Sequence, residues 1–206
     1  SPAEGSEGVV RVTVFSDGQA IASTVQLISI VVSRTVNMIP AAQIVLQDGD
    51  MANKSFEVSD AATFKPGAAI KINAGYDDVE ETIFEGIVVK HSVKITGDNH
   101  SRLLIDCRDK AVCMTVGRKN AAYIDKTDSG IISSLISAGG LTADVESTDI
   151  QYKELVQYYC SDWDFALTRA DTNGLLVVVE DGTVKVKSPQ TSASPTLKVT
   201  YGTDLM

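Results

Sequence analysis

Cysteine is scarce in this 206-residue chain, and the three present, Cys107, Cys113 and Cys160, cannot form a closed disulfide set. None belongs to a C-x-x-C pair, which removes a disulfide scaffold or zinc framework and leaves three buried thiols kept in a reducing compartment. Basic charge is also short: 18 Lys and Arg against 27 Asp and Glu give a net charge of −9. Nucleic-acid binding draws its affinity from Lys and Arg, and here they are scattered with no basic helix face, so no nucleic-acid partner is expected. No apolar run approaches the roughly 20 residues of a membrane-spanning helix. Nor does a charged and then apolar stretch open the chain, so no cleaved signal peptide is expected. Histidine occurs twice, at His91 and His100, and tryptophan once, at Trp163. G-x-S-x-G, H-E-x-x-H, G-x-x-x-x-G-K and G-x-G-x-x-G are all missing, and with them the usual marks of hydrolases, zinc proteases and nucleotide sites.

What is present is enough apolar residue, 44%, to bury one large core or two modest ones. Residues 1–8 are small and polar and read as a disordered lead-in. From Val9 onward, short strands alternate with turn dipeptides. Residues 10–15 are β-branched and precede Asp17-Gly18, a hairpin-type turn. Residues 25–32 and 42–46 follow as strands, with Met38-Ile39-Pro40 bending the chain between them. After the turn at Lys65-Pro66-Gly67, residues 69–74 alternate with period two, as a half-buried strand does. Gly86 interrupts the apolar run 82–89, which predicts a bulge or a tight bend of the kind used at barrel corners. Residues 93–96 and 102–107 flank a turn at Gly97-Asp98-Asn99. Regular strands with turn chemistry between them predict a small antiparallel β-barrel over residues 9–109.

The period then changes, and residues 110–189 read as an α+β domain with two short helices. The first is capped by Asp128, buries Ile131, Ile132, Leu135 and Ile136, turns Ser129, Ser133, Ser134 and Ser137 outward, and stops at Gly139-Gly140. The second lies in the run 157–174. Ser161 is its N-cap with Asp164 three residues on, and Cys160 and Phe165 occupy the staple positions. Trp163, Ala166, Leu167 and Ala170 form one buried stripe, Asp162 and Asp164 suit the positive end of the dipole, and Asn173-Gly174 ends the helix. Residues 175–179 are apolar on both faces and read as a covered central strand. After Asp181-Gly182, residues 184–187 alternate with Lys as a strand with one wet face or an edge. Residues 190–206 read as a linker and the start of a further strand at 197–201, so the chain is expected to be a piece of something longer.

The search for chemistry yields solvated acids rather than a site. Asp48-Gly49-Asp50 and Asp77-Asp78-Val79-Glu80-Glu81 place carboxylates on turns, where calcium or a glycosidase pair is conceivable, but neither completes an EF-hand. Tyr158-Tyr159 beside Trp163 resembles a sugar-stacking platform in composition, yet the helical spacing of Trp163 marks it as core. Asn53-Lys54-Ser55 and Asn99-His100-Ser101 match the glycosylation pattern by chance. No catalytic, cofactor-binding or metal-ligating residue is assigned. A carbohydrate- or receptor-binding β-domain of a tail or surface protein, and a hydrolase using Asp77, Asp78, Glu80 or Glu81, remain the rival readings.

The run 157–174, with Asp162-Trp163-Asp164-Phe165, Arg169 and Asn173-Gly174, resembles the helix motif of the VgrG and phage late control protein D family. These are baseplate hub and spike proteins of contractile injection systems, including Rhs-element Vgr-like members. Phe84-Glu85-Gly86-Ile87-Val88 is similar to that family's Phe-x-Gly-hydrophobic strand, and Phe64-Lys65-Pro66-Gly67-Ala68 to the Pro-Gly turn before it. Pro189 lies where the family's middle domain gives way to a second barrel, which Tyr201-Gly202-Thr203-Asp204-Leu205 resembles at its start. The resemblance implies a structural protein with no catalytic residues. It also implies a homotrimer whose barrels adapt a hexameric tube to a trimeric spike, with a tube protein and a downstream spike domain or tip protein as partners. Such a protein is cytoplasmic during assembly and is then exported or injected with the machine.

Overall fold

The structure, a computed structural model, describes residues 9–49, 55–76, 79–95, 101–192, 194–195 and 198–201. The expected lead-in 1–8, the turn 97–99, Asp50, Asp77, Asp78, His100, Asn53 and residues 202–206 lie outside them. The chain is mainly β with α+β character. Strands β1 (Val10–Ser16), β2 (Gln19–Ala20), β3 (Leu27–Ser33), β4 (Ala41–Gln47), β5 (Ala69–Tyr76), β6 (Val79–Ile95) and β7 (Ser101–Arg108) make one antiparallel sheet, ordered β2-β1-β5-β6-β7-β4-β3. Asp17-Gly18 closes the β1–β2 hairpin with positive φ at both residues, as a type I′ turn requires.

Ile44, Leu46, Ile72, Leu103 and Ile105, on the inner face of this sheet, have no solvent exposure. Among the described residues, the one-turn helix α1 (Glu57–Asp60), the 3₁₀ turn Ala62–Phe64 and the side chains of Ile21 and Val25 pack against this core, too little to serve as a second layer. The sheet therefore curls its inner face around its own core, with Phe64 as a plug. The long strand β6 makes this curl possible. Ile83 is an extra residue against β5 and Val89 is an extra residue against β7. Between these two bulges sits Gly86, where a Cβ would lie 2.2 Å from the Arg108 carbonyl oxygen. The glycine is there because a neighbouring backbone passes too close for any side chain. Of the bulge or bend expected at Gly86, bulges are observed, at Ile83 and Val89 on either side of it.

A second core gathers residues from Ala111 to Val186. Helices α2 (Asp128–Ala138) and α3 (Asp162–Thr172) pack on each other beside a three-stranded sheet and a two-stranded ribbon. The ribbon pairs β8 (Lys119–Thr127) with β10 (Gln151–Cys160). In the sheet, β12 (Thr183–Lys187) lies between β11 (Leu176–Glu180) and β9 (Thr142–Val145), antiparallel to the first and parallel to the second. The apolar run is therefore terminal in this sheet rather than central, while the Lys-alternating run, though central, buries Val184 and Val186 on one face and keeps the other wetter, as expected. The apolar run is covered by a loop instead of a strand: Asn37 donates from its N–H to the Val177 carbonyl, and Val177 N–H donates to Asn37 Oδ1, both at 2.8 Å. The predicted cap of α2 also moves by one. Thr127 is the N-cap and accepts from Gly130 N–H, while Asp128 is the first helical residue. Of the expected strand at 197–201, residues 198–201 are described and hold one bridge position, at Tyr201.

Candidate assembly surface

Helix α3 has the ends its sequence encodes. Ser161 Oγ accepts from Asp164 N–H at 3.1 Å and donates to the Asp164 carboxylate at 2.6 Å. Gly174 follows the helix with φ 65°. Trp163 is 7% exposed and belongs to the second core, so it is no sugar platform.

Immediately before α3 the chain does something unusual. The register of the ribbon slips between Gln157, opposite Ala121, and Cys160, opposite Lys119, so Tyr158 and Tyr159 together face Asn120. This is a β-bulge, and Tyr159 takes φ 45°, a left-handed conformation costly for a bulky residue. Local bonds hold it. Asn120 Oδ1 accepts the Tyr159 N–H at 2.8 Å. The fully buried Gln157 donates to the Cys160 carbonyl at 3.2 Å and to Asp162 Oδ1 at 3.1 Å, and accepts from Tyr123 Oη at 2.9 Å. The other Asp162 oxygen meets Lys119 Nζ, which hydrogen bonding and charge hold above its usual pKa. Arg118 lies over the Tyr159 ring, 5.1 Å from its centroid.

The product is a hydrogen-bonded platform that presents both rings to solvent. Tyr158 is 80% exposed and Tyr159 61%. Along the ribbon, Leu155 and Tyr123 pack into the core, while Val156, opposite Ala122, and Ile124, opposite Glu154, are 52% and 54% exposed. Tyr and Arg over an apolar patch is the composition of protein-binding hot spots. Sequence reasoning noticed the tyrosines and missed the bulge, because a register slip depends on the partner strand.

Other predicted positions have structural duties. Asp48 is buried rather than solvated: its carboxylate accepts N–H bonds from Val58 and Ser59 at the start of α1, at 3.2 and 2.8 Å. Glu80 accepts from Thr13 Oγ1 at 2.8 Å, and Glu81 is exposed. His91 Nδ1 lies 3.2 Å from the Phe64 carbonyl. Cys107 is buried, Cys160 half-buried and Cys113 exposed, which corrects the expectation of three buried thiols. Among the described residues, no three His, Cys, Asp or Glu side chains converge as a metal site. No helix among them is long and apolar enough to cross a membrane.

Two further constellations tie the molecule together. Buried Asp128 accepts from Arg169 Nε and Nη2 and from Asn173 Nδ2, and Arg169 also donates to Tyr152 Oη at 2.9 Å. Burial alone would raise the Asp128 carboxyl; the bonds from Arg169 and Asn173 together outweigh it and leave the pKa lowered. Between the two cores, Asp109 N–H donates to the Pro40 carbonyl, and its carboxylate accepts from Ala111 and Gly182 N–H. Arg34 adds a bond to the carbonyl freed by the Ile83 bulge, at 2.7 Å, and a looser one to Asp181.

The sequence profile of the family described as Alg8 N-terminal domain matches residues 6–206, and the chain belongs to that family. No curated protein matches it. Its fold is shared with solved structures at low identity. The 43 kDa tail protein of prophage MuSo2 from Shewanella oneidensis superposes with a TM-score of 0.68 at 13% identity, over 87% of this chain and 53% of that one. The E. coli c3393 protein, a component of the type VI secretion system with structural similarity to T4 tail proteins gp27 and gp5, gives 0.65 at 13% identity, over 88% and 50%. A tail protein from Neisseria meningitidis MC58 gives 0.64 at 13% identity, over 91% and 53%. The chain spans about half the length of these proteins.

Proposed function

We propose that this member of the Alg8 N-terminal domain family is a structural hub component of a contractile injection machine, of the type VI secretion or phage-tail baseplate kind. The observation that carries the reading is a fold held in common, over nearly the whole chain, with tail and secretion-apparatus proteins. The motif resemblance of residues 84–88 and 157–174 to the VgrG and late control protein D family supports it independently. In this reading residues 9–109 are a first tube barrel, residues 110–189 a middle domain, and residues 190–206 a linker and the start of a second barrel. The full-length protein forms a homotrimer that adapts a hexameric tube to a trimeric spike. It contacts the tube protein on one side and a spike domain or tip protein on the other. It is assembled in the cytoplasm and leaves with the machine, and its work is mechanical rather than catalytic.

A curled sheet suits that work, because load is shared across strand ladders instead of resting on one contact. Deleting the gene from its native cell and imaging the injection apparatus tests the reading. Loss of assembled tubes, restored by the wild-type gene, is the expected result; normal machines without the protein would end the proposal.

A further inference from the structure

We infer that the bulged β8–β10 ribbon is a docking surface for an acidic face of a second copy of this chain, engaged head to tail. The inference rests on the ring-forming hub reading and names the contact that would build the ring.

Three observations converge on the ribbon. Among the described residues nothing covers its apolar outer face, where Ile124, Val156 and Tyr158 are each more than half exposed. The bulge is strained at Tyr159 yet braced by Asn120 and Gln157, the arrangement expected where backbone strain serves presentation of a side chain. The charge is local and of the minority sign. Residues 118–127 and 151–160 carry Arg118, Lys119, Lys126 and Lys153 against Asp125 and Glu154; with Lys119 paired to Asp162, one positive charge remains in surplus, in a chain whose balance is −9.

That charge selects the occupant. Ribbon against ribbon would set like charges together, which disfavours a two-fold contact. Ribbon against the remaining surface of a neighbour, which is acidic on balance, is attractive. Such a heterologous contact repeats from copy to copy and closes a ring when the rotation allows. The tyrosines supply contact area at small entropy cost, and Arg118 is held flat on Tyr159 before docking.

The test uses the full-length protein in sedimentation velocity, with Tyr158→Ser combined with Arg118→Glu, and separately with a benzophenone photocrosslinker replacing Tyr158. The wild type should associate, and about 500 mM salt should weaken association roughly tenfold relative to about 50 mM. The double variant should lose at least about tenfold in association constant at unchanged melting temperature. The crosslinker should join two copies, to an acid-rich segment outside the ribbon. An oligomer that the double variant leaves intact, a crosslink within the ribbon, or a crosslink only to another protein such as the tube subunit would overturn the ribbon while sparing the hub reading. A wild type monomeric at every concentration would overturn both.

Discussion

Asp128 and Arg169 stand 41 positions apart and meet as a two-pronged ion pair joining the start of α2 to the last turns of α3. The Asp128 side chain is 1% exposed, and Asn173 and Tyr152 complete the set of partners. A group this enclosed is tolerated only while every partner remains.

Asp128→Asn should therefore lower stability by about 3–5 kcal/mol at neutral pH, since it strands the Arg169 charge. Because the folded carboxyl lies below its usual 3.8, its contribution is present above that pH and is lost as pH falls through the lower, folded value. Urea denaturation of wild type and variant from pH 7 downward should show the gap narrowing only below about pH 4. A gap that is constant with pH would contradict this account.

Gly86→Ala should cost about 1–3 kcal/mol, the range for forcing atoms into a packed site. The added methyl meets the Arg108 carbonyl backbone and the Phe84 ring, which a flexible side chain would avoid and these do not. Chemical denaturation checks it, and a change under about 0.5 kcal/mol would mean that β6 and β7 are not so close.

Much of this was legible in the sequence, and the boundary is physical. The caps of α3, both Asp-Gly turns and the irregularity around Gly86 depend on neighbours within a few positions, so local chemistry states them. The partners of Asp48, the loop that covers β11 and the pairing of β8 with β10 join segments far apart. The stretch 151–160 shows no clean alternation, because the bulge that makes it interesting breaks the period. Helix α1 was missed for the same reason: its four residues are held by Asp48, outside the helix.

Trp163→Ala should cost about 3–5 kcal/mol, as for other large aromatics removed from a core. The loss should appear in equilibrium unfolding, with the second core most affected. A loss under about 1 kcal/mol would remove Trp163 from that core.

Tyr159→Gly should behave oppositely. Relief of the left-handed strain should leave stability unchanged or raised by about 1 kcal/mol, while self-association falls. Thermal melts and sedimentation on one preparation separate the two effects. A variant both unstable and fully associating would show that the strain serves packing.

Thiol labelling offers a simple check on burial. Burial, aided by the Asp106 charge, pushes Cys107 up to about 12, so it should stay unlabelled at pH 8 until the chain unfolds. Exposed Cys113 should label first. The reverse order would place Cys107 outside the first core.

The most direct measurement is electron microscopy of the purified full-length protein. Class averages should show a threefold particle whose lumen is ringed by six similar barrels. A population of single chains, or a particle without threefold symmetry, would contradict the hub.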